Sequence, residues 1–114
     1  MIKKKKYGGK RMTANLRQWR AEIDVIDQQL LQLLNRRARL SEEIGQLKRA
    51  HNLPVVDGNR EAQVLQRLRQ QNQGPLDTRG VATIFRRIIR ESRRLQGSPA
   101  NRDPGIAGTE EPRA

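Results

Sequence analysis

Apolar residues at Leu16, Trp19, Ile23, Ile26, Leu30, Leu33, Leu40, Ile44 and Leu47 follow a spacing of three and four, the signature of a helix with one continuous apolar seam. One position breaks the series: Arg37 stands where the alternation between Leu33 and Leu40 asks for an aliphatic side chain. Thr13 or Asn15 can cap the start of this helix, the latter with Gln18 three residues on. Pro54 stops it, with the end expected near His51 or Asn52. Such an element is roughly 50 Å long. That exceeds what the short helices after it can cover, so the pattern asks for a second chain.

Asp57-Gly58 opens a second helix, Asp57 being the expected N-cap, with Val64, Leu65 and Leu68 on one face. Asn72-Gln73-Gly74-Pro75 is a turn signal. A third helix is expected from Asp77 or Thr78 to about Gln96, with Val81, Ile84, Phe85, Ile88, Ile89 and Leu95 as its apolar set and Gly97 as its stop. No segment alternates with period two, so the expected class is all-α: three helices, long, short and medium. Residues 1–12, with Gly8-Gly9, read as a basic flexible arm. Residues 13–97 read as the helical domain, and the Pro- and Gly-containing residues 98–114 as a disordered tail.

Composition narrows the chemistry. The 114 residues hold no cysteine and one histidine, His51, so thiol chemistry and a His-rich metal site are not expected. The aromatics are Tyr7, Trp19 and Phe85, a thin supply for a monomeric core. No apolar run is long enough for a membrane span, and the basic N-terminus has no apolar stretch behind it, so a cytoplasmic location is expected. Of the net charge of +12, residues 1–12 carry +6 and residues 98–114 carry −1, which leaves +7 on the patterned helices. The Lys run is read as a solvated arm, with nucleic-acid binding the sharper alternative.

Several polar residues sit where apolar ones are due. Arg37 is costly on a seam unless paired, and an internal salt bridge or a snorkelling stem is the plain account. Lys48 lies eleven residues further on, only ~20° away on the helical wheel, so both cations look along one stripe. Taken singly, Lys48 is a helix-end cation favoured by the dipole. Ser92 and Gln96 continue the row from Val81, Phe85 and Ile88; a helix crossing and a frayed end are their plain readings. Asp57 and Glu61 suit a helix N-terminus, whereas Arg60 does not and hints at a local anion. Gly45 costs about 1 kcal/mol in a helix and is expected to admit a neighbouring helix closely. His51 is assigned no catalytic part.

Taken in order, the stretches Leu16–Asp27, Leu33–Arg37, Ile44–Lys48, Pro54–Glu61 and Phe85–Gln96 resemble the all-helical chorismate mutases over about residues 14–97. The resemblance implies an intertwined homodimer with shared active sites. It also implies conversion of chorismate, a small dicarboxylate, to prephenate in phenylalanine and tyrosine biosynthesis, without metal or cofactor. The family's site pattern falls on Arg20, Arg37, Lys48, Asp57, Arg60, Glu61, Ser92 and Gln96. By the same resemblance Arg37 and the partner chain's Arg20 hold the two carboxylates, with Ser92 assisting. Lys48 and Gln96 donate to the ether oxygen, Glu61 accepts from the ring hydroxyl, and Asp57 and Arg60 shape the pocket beside them. Spacing agrees on one point independently: Arg20 lies ~26 Å from Arg37 and ~42 Å from Lys48 along one helix, out of reach of a pocket formed by both.

Three other readings compete. An isochorismate-pyruvate lyase uses the same scaffold. A basic helical nucleic-acid binder accounts for the Lys arm but not for Arg37 or the Ser92/Gln96 pair. A purely structural coiled coil calls for an apolar residue at position 37.

Overall fold

The computed structural model describes residues 9–97; most of the basic arm and all of the residue 98–114 tail lie outside the described residues. Three helices follow one another: α1, Gly9–Ala50; α2, Gly58–Gln71; and α3, Thr78–Gly97. No strand occurs among the described residues. The chain divides between Arg37 and Ala38 into two units, so α1 runs through both.

α1 begins at Gly9, ahead of the capping residues Thr13 and Asn15. Lys10, Arg11, Met12 and Ala14 are good helix formers and no proline intervenes, so propagation past those two residues costs little. Its end falls where expected, by a more specific device than Pro54. Asn52 takes a left-handed conformation, φ 54°. The Leu53 amide then donates to Lys48 O at 2.8 Å and the Asn52 amide to Arg49 O at 3.3 Å. These two bonds make a Schellman motif with Asn52 in the place usually taken by glycine.

Asp57 is the N-cap of α2, accepting the Arg60 amide at 3.0 Å, as its sequence position suggests. Asn72 ends α2 and shapes the turn that follows: its Oδ1 accepts the Gly74 amide at 3.0 Å and its Nδ2 donates to Leu76 O at 2.7 Å. Gly74 occupies φ +80°, which a residue with a side chain rarely adopts. Asp77 Oδ1 then accepts the Gly80 amide at 2.7 Å and starts α3.

α2 packs against α3. Val81, Ala82 and Ile89 are buried, with Phe85, Ile88 and Leu95 half-buried beside them and Val64, Leu65 and Leu68 half-buried on α2. Ile84 departs from the expected core: it is 46% exposed. On α1 the apolar seam is uncovered within the chain, from Leu16 and Trp19 through Ile23, Ile26, Leu30 and Leu33 to Leu40, Ile44 and Leu47. Among the described residues of that helix only Ser41 and Gly45 are buried.

Replacing Asp77 by Ala removes a cap without touching the packed face. It is expected to cost about 1 kcal/mol, read as a lower urea midpoint at an unchanged slope.

Candidate active site

The Gly45 position sets how the last turns of α1 meet the end of α3. A Cβ there would stand 2.6 Å from Gln96 Cα and 2.9 Å from Gln96 O. Backbone therefore lies directly on backbone, as expected of a glycine inside a helix whose neighbour comes close. The next turn of α1 uses that proximity. The Lys48 ammonium donates to Gln96 Oε1 at 2.9 Å and to Val55 O at 3.0 Å. Arg49 Nη1 donates to Gln96 O at 2.6 Å, neutralising a carbonyl left open at the C-terminus of α3. Lys48, Arg49 and Gln96 are all half-buried, and Ser92, one turn before Gln96, is buried.

Glu61 stands in the first turn of α2, four residues after the Asp57 cap. Arg93 on α3 grips it as a fork: Nε donates to Oε2 at 2.7 Å and Nη2 to Oε1 at 2.5 Å. Arg93's hydrogen bond, ahead of its charge and that of Lys48, holds the Glu61 carboxyl below the usual carboxylate range. Partial burial and the nearby Asp57 carboxylate push the other way and lose.

The structure thus joins Lys48 to Gln96 and sets Asp57 and Glu61 at the start of α2, Glu61 within the electrostatic reach of Lys48. Arg60 is exposed, its backbone amide serving the Asp57 cap. Arg37 and Arg20 belong to the first unit. Arg37 is half-buried; Arg20 is exposed, in a shallow depression of α1 beside Leu16, Arg17 and Asp24. The sequence reading missed Arg93, Arg49 and the Val55 carbonyl. Periodicity gives no sign of a pair such as Glu61–Arg93, 32 residues apart on two helices. Among the described residues no cluster of three or more His, Cys, Asp and Glu could hold a metal, and no helix is long and apolar enough to cross a membrane.

These features define an all-helical domain whose polar site is assembled from the end of one helix, the start of a second and the end of a third. The family model "Chorismate mutase type II" matches residues 19–97, and the chain belongs to that family. Among curated relatives it is similar to a bifunctional chorismate mutase/prephenate dehydratase of Aquifex aeolicus, 36% identical over 78 residues, which are 65% of this chain and 22% of that protein. The chain spans about a fifth of the length of the curated relatives it matches. Among solved structures it is similar to chorismate mutase (form II) from Thermus thermophilus, with a TM-score of 0.73 at 32% identity, covering 75% of this chain and 97% of that one. It is also similar to Helicobacter pylori chorismate mutase in complex with prephenate, with a TM-score of 0.68 at 29% identity, covering 73% and 90%.

Gly45→Ala offers a direct check on the crossing. Alanine gains about 1 kcal/mol in helix propensity, but its methyl overlaps backbone that no side-chain rotation can move, at a typical cost of about 1–3 kcal/mol. Net destabilisation is expected in urea unfolding, whereas a variant more stable than the parent would contradict the close approach.

Proposed function

We propose that the chain is a chorismate mutase, converting chorismate to prephenate by an intramolecular Claisen rearrangement in the cytoplasm. The observation that carries this reading is the Lys48–Gln96 pair, two donors held together at a half-buried helix crossing. Membership of the family and the prephenate-bound Helicobacter relative support it.

In this reaction an ether C–O bond breaks as a new C–C bond forms within the same molecule, so no atom enters or leaves. Neither nucleophile nor general base is required. What the protein supplies is conformation and charge. Negative charge grows on the ether oxygen as the bond opens. An ammonium can only donate, so Gln96 turns its oxygen to Lys48, and its amide NH2 is left to donate elsewhere. Val55 O and Gln96 Oε1 occupy two of the three Lys48 protons. The third, with the Gln96 amide, is available to the ether oxygen. Fixed donors of this kind favour the transition state over the ground state.

Arg37 and the partner subunit's Arg20 complete the proposal as carboxylate clamps, Ser92 assisting, since a guanidinium fork matches a carboxylate. Clamping both carboxylates selects the compact reactive conformer. Glu61 accepts from the ring hydroxyl, and Asp57 and Arg60 form the wall at the start of α2. A homodimer belongs to the same proposal. Its support is the uncovered seam of α1, where Trp19, Ile23, Ile26, Leu30 and Leu33 are each more than half exposed. A second copy of that seam, antiparallel, would bury it and deliver Arg20.

The deciding experiment follows chorismate absorbance with purified protein, with isochorismate as a second substrate to separate mutase from lyase. Conversion to prephenate is expected. Lys48→Ala is expected to lower kcat by at least about 100-fold with an unchanged helical spectrum, the usual scale for losing one such donor; near-normal turnover would remove Lys48 from its role. Mixing Arg20→Ala with Arg37→Ala protein is expected to recover activity, because one of the two pockets in a heterodimer is intact. Absence of recovery after demonstrated subunit exchange counts against a shared site.

A further inference from the structure

The proposed mechanism gives Arg93 no task, although Arg93 makes the closest polar contact to Glu61. We infer that Arg93 is a positioning residue for the rearrangement: it fixes the Glu61 carboxylate as an acceptor facing the substrate hydroxyl and keeps it from claiming Lys48. The inference rests on the mutase reading of the site.

Geometry carries it. Glu61 lies in the first turn of α2 and Arg93 near the end of α3, so the pair ties the helix that Asp57 caps to the helix that bears Gln96. The fork takes one lone pair from each carboxylate oxygen. Each oxygen retains another, so a hydroxyl can be accepted without opening the fork. A carboxylate released from Arg93 would turn freely about its side-chain torsions. Lys48, which already acts on Glu61 through its charge, would then be a cation for it to turn to. Lys48 has one proton not committed to Val55 O or Gln96 Oε1, and a Glu61 carboxylate that took it would deprive the ether oxygen of a donor.

Stability is a weak competing explanation. The Arg93 side chain is 44% exposed and Glu61 21%, and solvent screening leaves ion pairs of that kind little to contribute. What the fork does supply is orientation, because a planar guanidinium fixes the plane of the carboxylate it holds and a lysine cannot.

The charges that act on Glu61 include Arg93 from α3, Lys48 from α1 and Asp57 from the residues before α2. The two cations favour the ionised carboxylate, Arg93 first, while Asp57 and partial burial oppose it. Ionised Glu61 is thus fully present above the ordinary carboxylate range and is lost as pH falls through its lowered value. Without Arg93 that loss begins at higher pH.

The test compares the full chain with Arg93→Met, Arg93→Lys, Glu61→Gln and the Glu61→Gln/Arg93→Met double variant. Kcat and KM for chorismate are measured against pH, with melting temperatures as a check on folding. Arg93→Met is expected to lower kcat/KM by up to about 100-fold, the scale of a misplaced contact group. Its acid limb moves to higher pH, and Arg93→Lys recovers part of both effects. On the Glu61→Gln background Arg93→Met changes little further, because the two residues act as one unit. An equal fold-loss on both backgrounds with an unmoved acid limb overturns the inference, as does wild-type kcat/KM in Arg93→Met. Should Arg93→Met fail to fold, the limb of Arg93→Lys decides in the same way. Absence of turnover by the parent protein overturns the proposed function instead. A carbon NMR titration of the Glu61 carboxyl then still judges the pair: a midpoint identical in parent and Arg93 variants removes the link.

Discussion

Two backbones in contact, Gly45 of α1 on Gln96 of α3, fix the arrangement of the site. The missing side chain at position 45 lets the helices approach to a distance at which even a methyl group would overlap main-chain atoms. Only at that separation can one α1 turn hold Gln96 at both its side chain, through Lys48, and its carbonyl, through Arg49. The weak propensity of glycine in a helix is therefore offset by two charge-assisted hydrogen bonds and by the fixed direction of an amide. The remaining polar groups build outward from this crossing: Val55 O from the loop after α1, and Glu61 and Arg93 across α2 and α3.

The site also shows a division of labour among cations. Lys48 is compact, half-buried and bound to neutral oxygens, which leaves its charge unspent. Arg93 is exposed and bound to a carboxylate on which the Lys48 charge also acts. Arg49 is committed to a helix-end carbonyl. A chain with a net charge of +12 has cations to spare, and here they are sorted by what each can reach.

Most of the fold was legible because helix periodicity and capping are local. Asp57 and Asp77 start their helices as read, and the Asn72–Pro75 turn falls between them. Gly45 and Gln96 were legible for another reason: each is anomalous where it stands, a glycine inside a helix and a polar group continuing an apolar row, whereas only the family resemblance brought Lys48 and Gln96 together. Arg93 is not anomalous. It is one of four arginines between Arg86 and Arg93 on a strongly basic helix, and nothing in its spacing marks it for Glu61. α1 starts ahead of its cap signals because such signals only permit a helix to begin, and good helix formers upstream carry it to Gly9. The end of α1 lies close to where Pro54 calls for it, while the role of Asn52 is not legible in the sequence, since its left-handed backbone becomes evident only with the Leu53 and Asn52 amides in view.

That Asn52 reversal has a bearing on how the gene can change. The connection from Ala50 to Gly58 does more than join two helices: it folds back at once so that Val55 O meets Lys48 seven residues earlier. An added residue there would lift that carbonyl off the ammonium and shift the Asp57 cap with it. The connection from Asn72 to Asp77 carries no group of the site and closes on its own Asn72 hydrogen bonds. Length variation, peptide tags and grafted segments should therefore be absorbed by the second connection and rejected by the first, an asymmetry between two loops of nearly equal size.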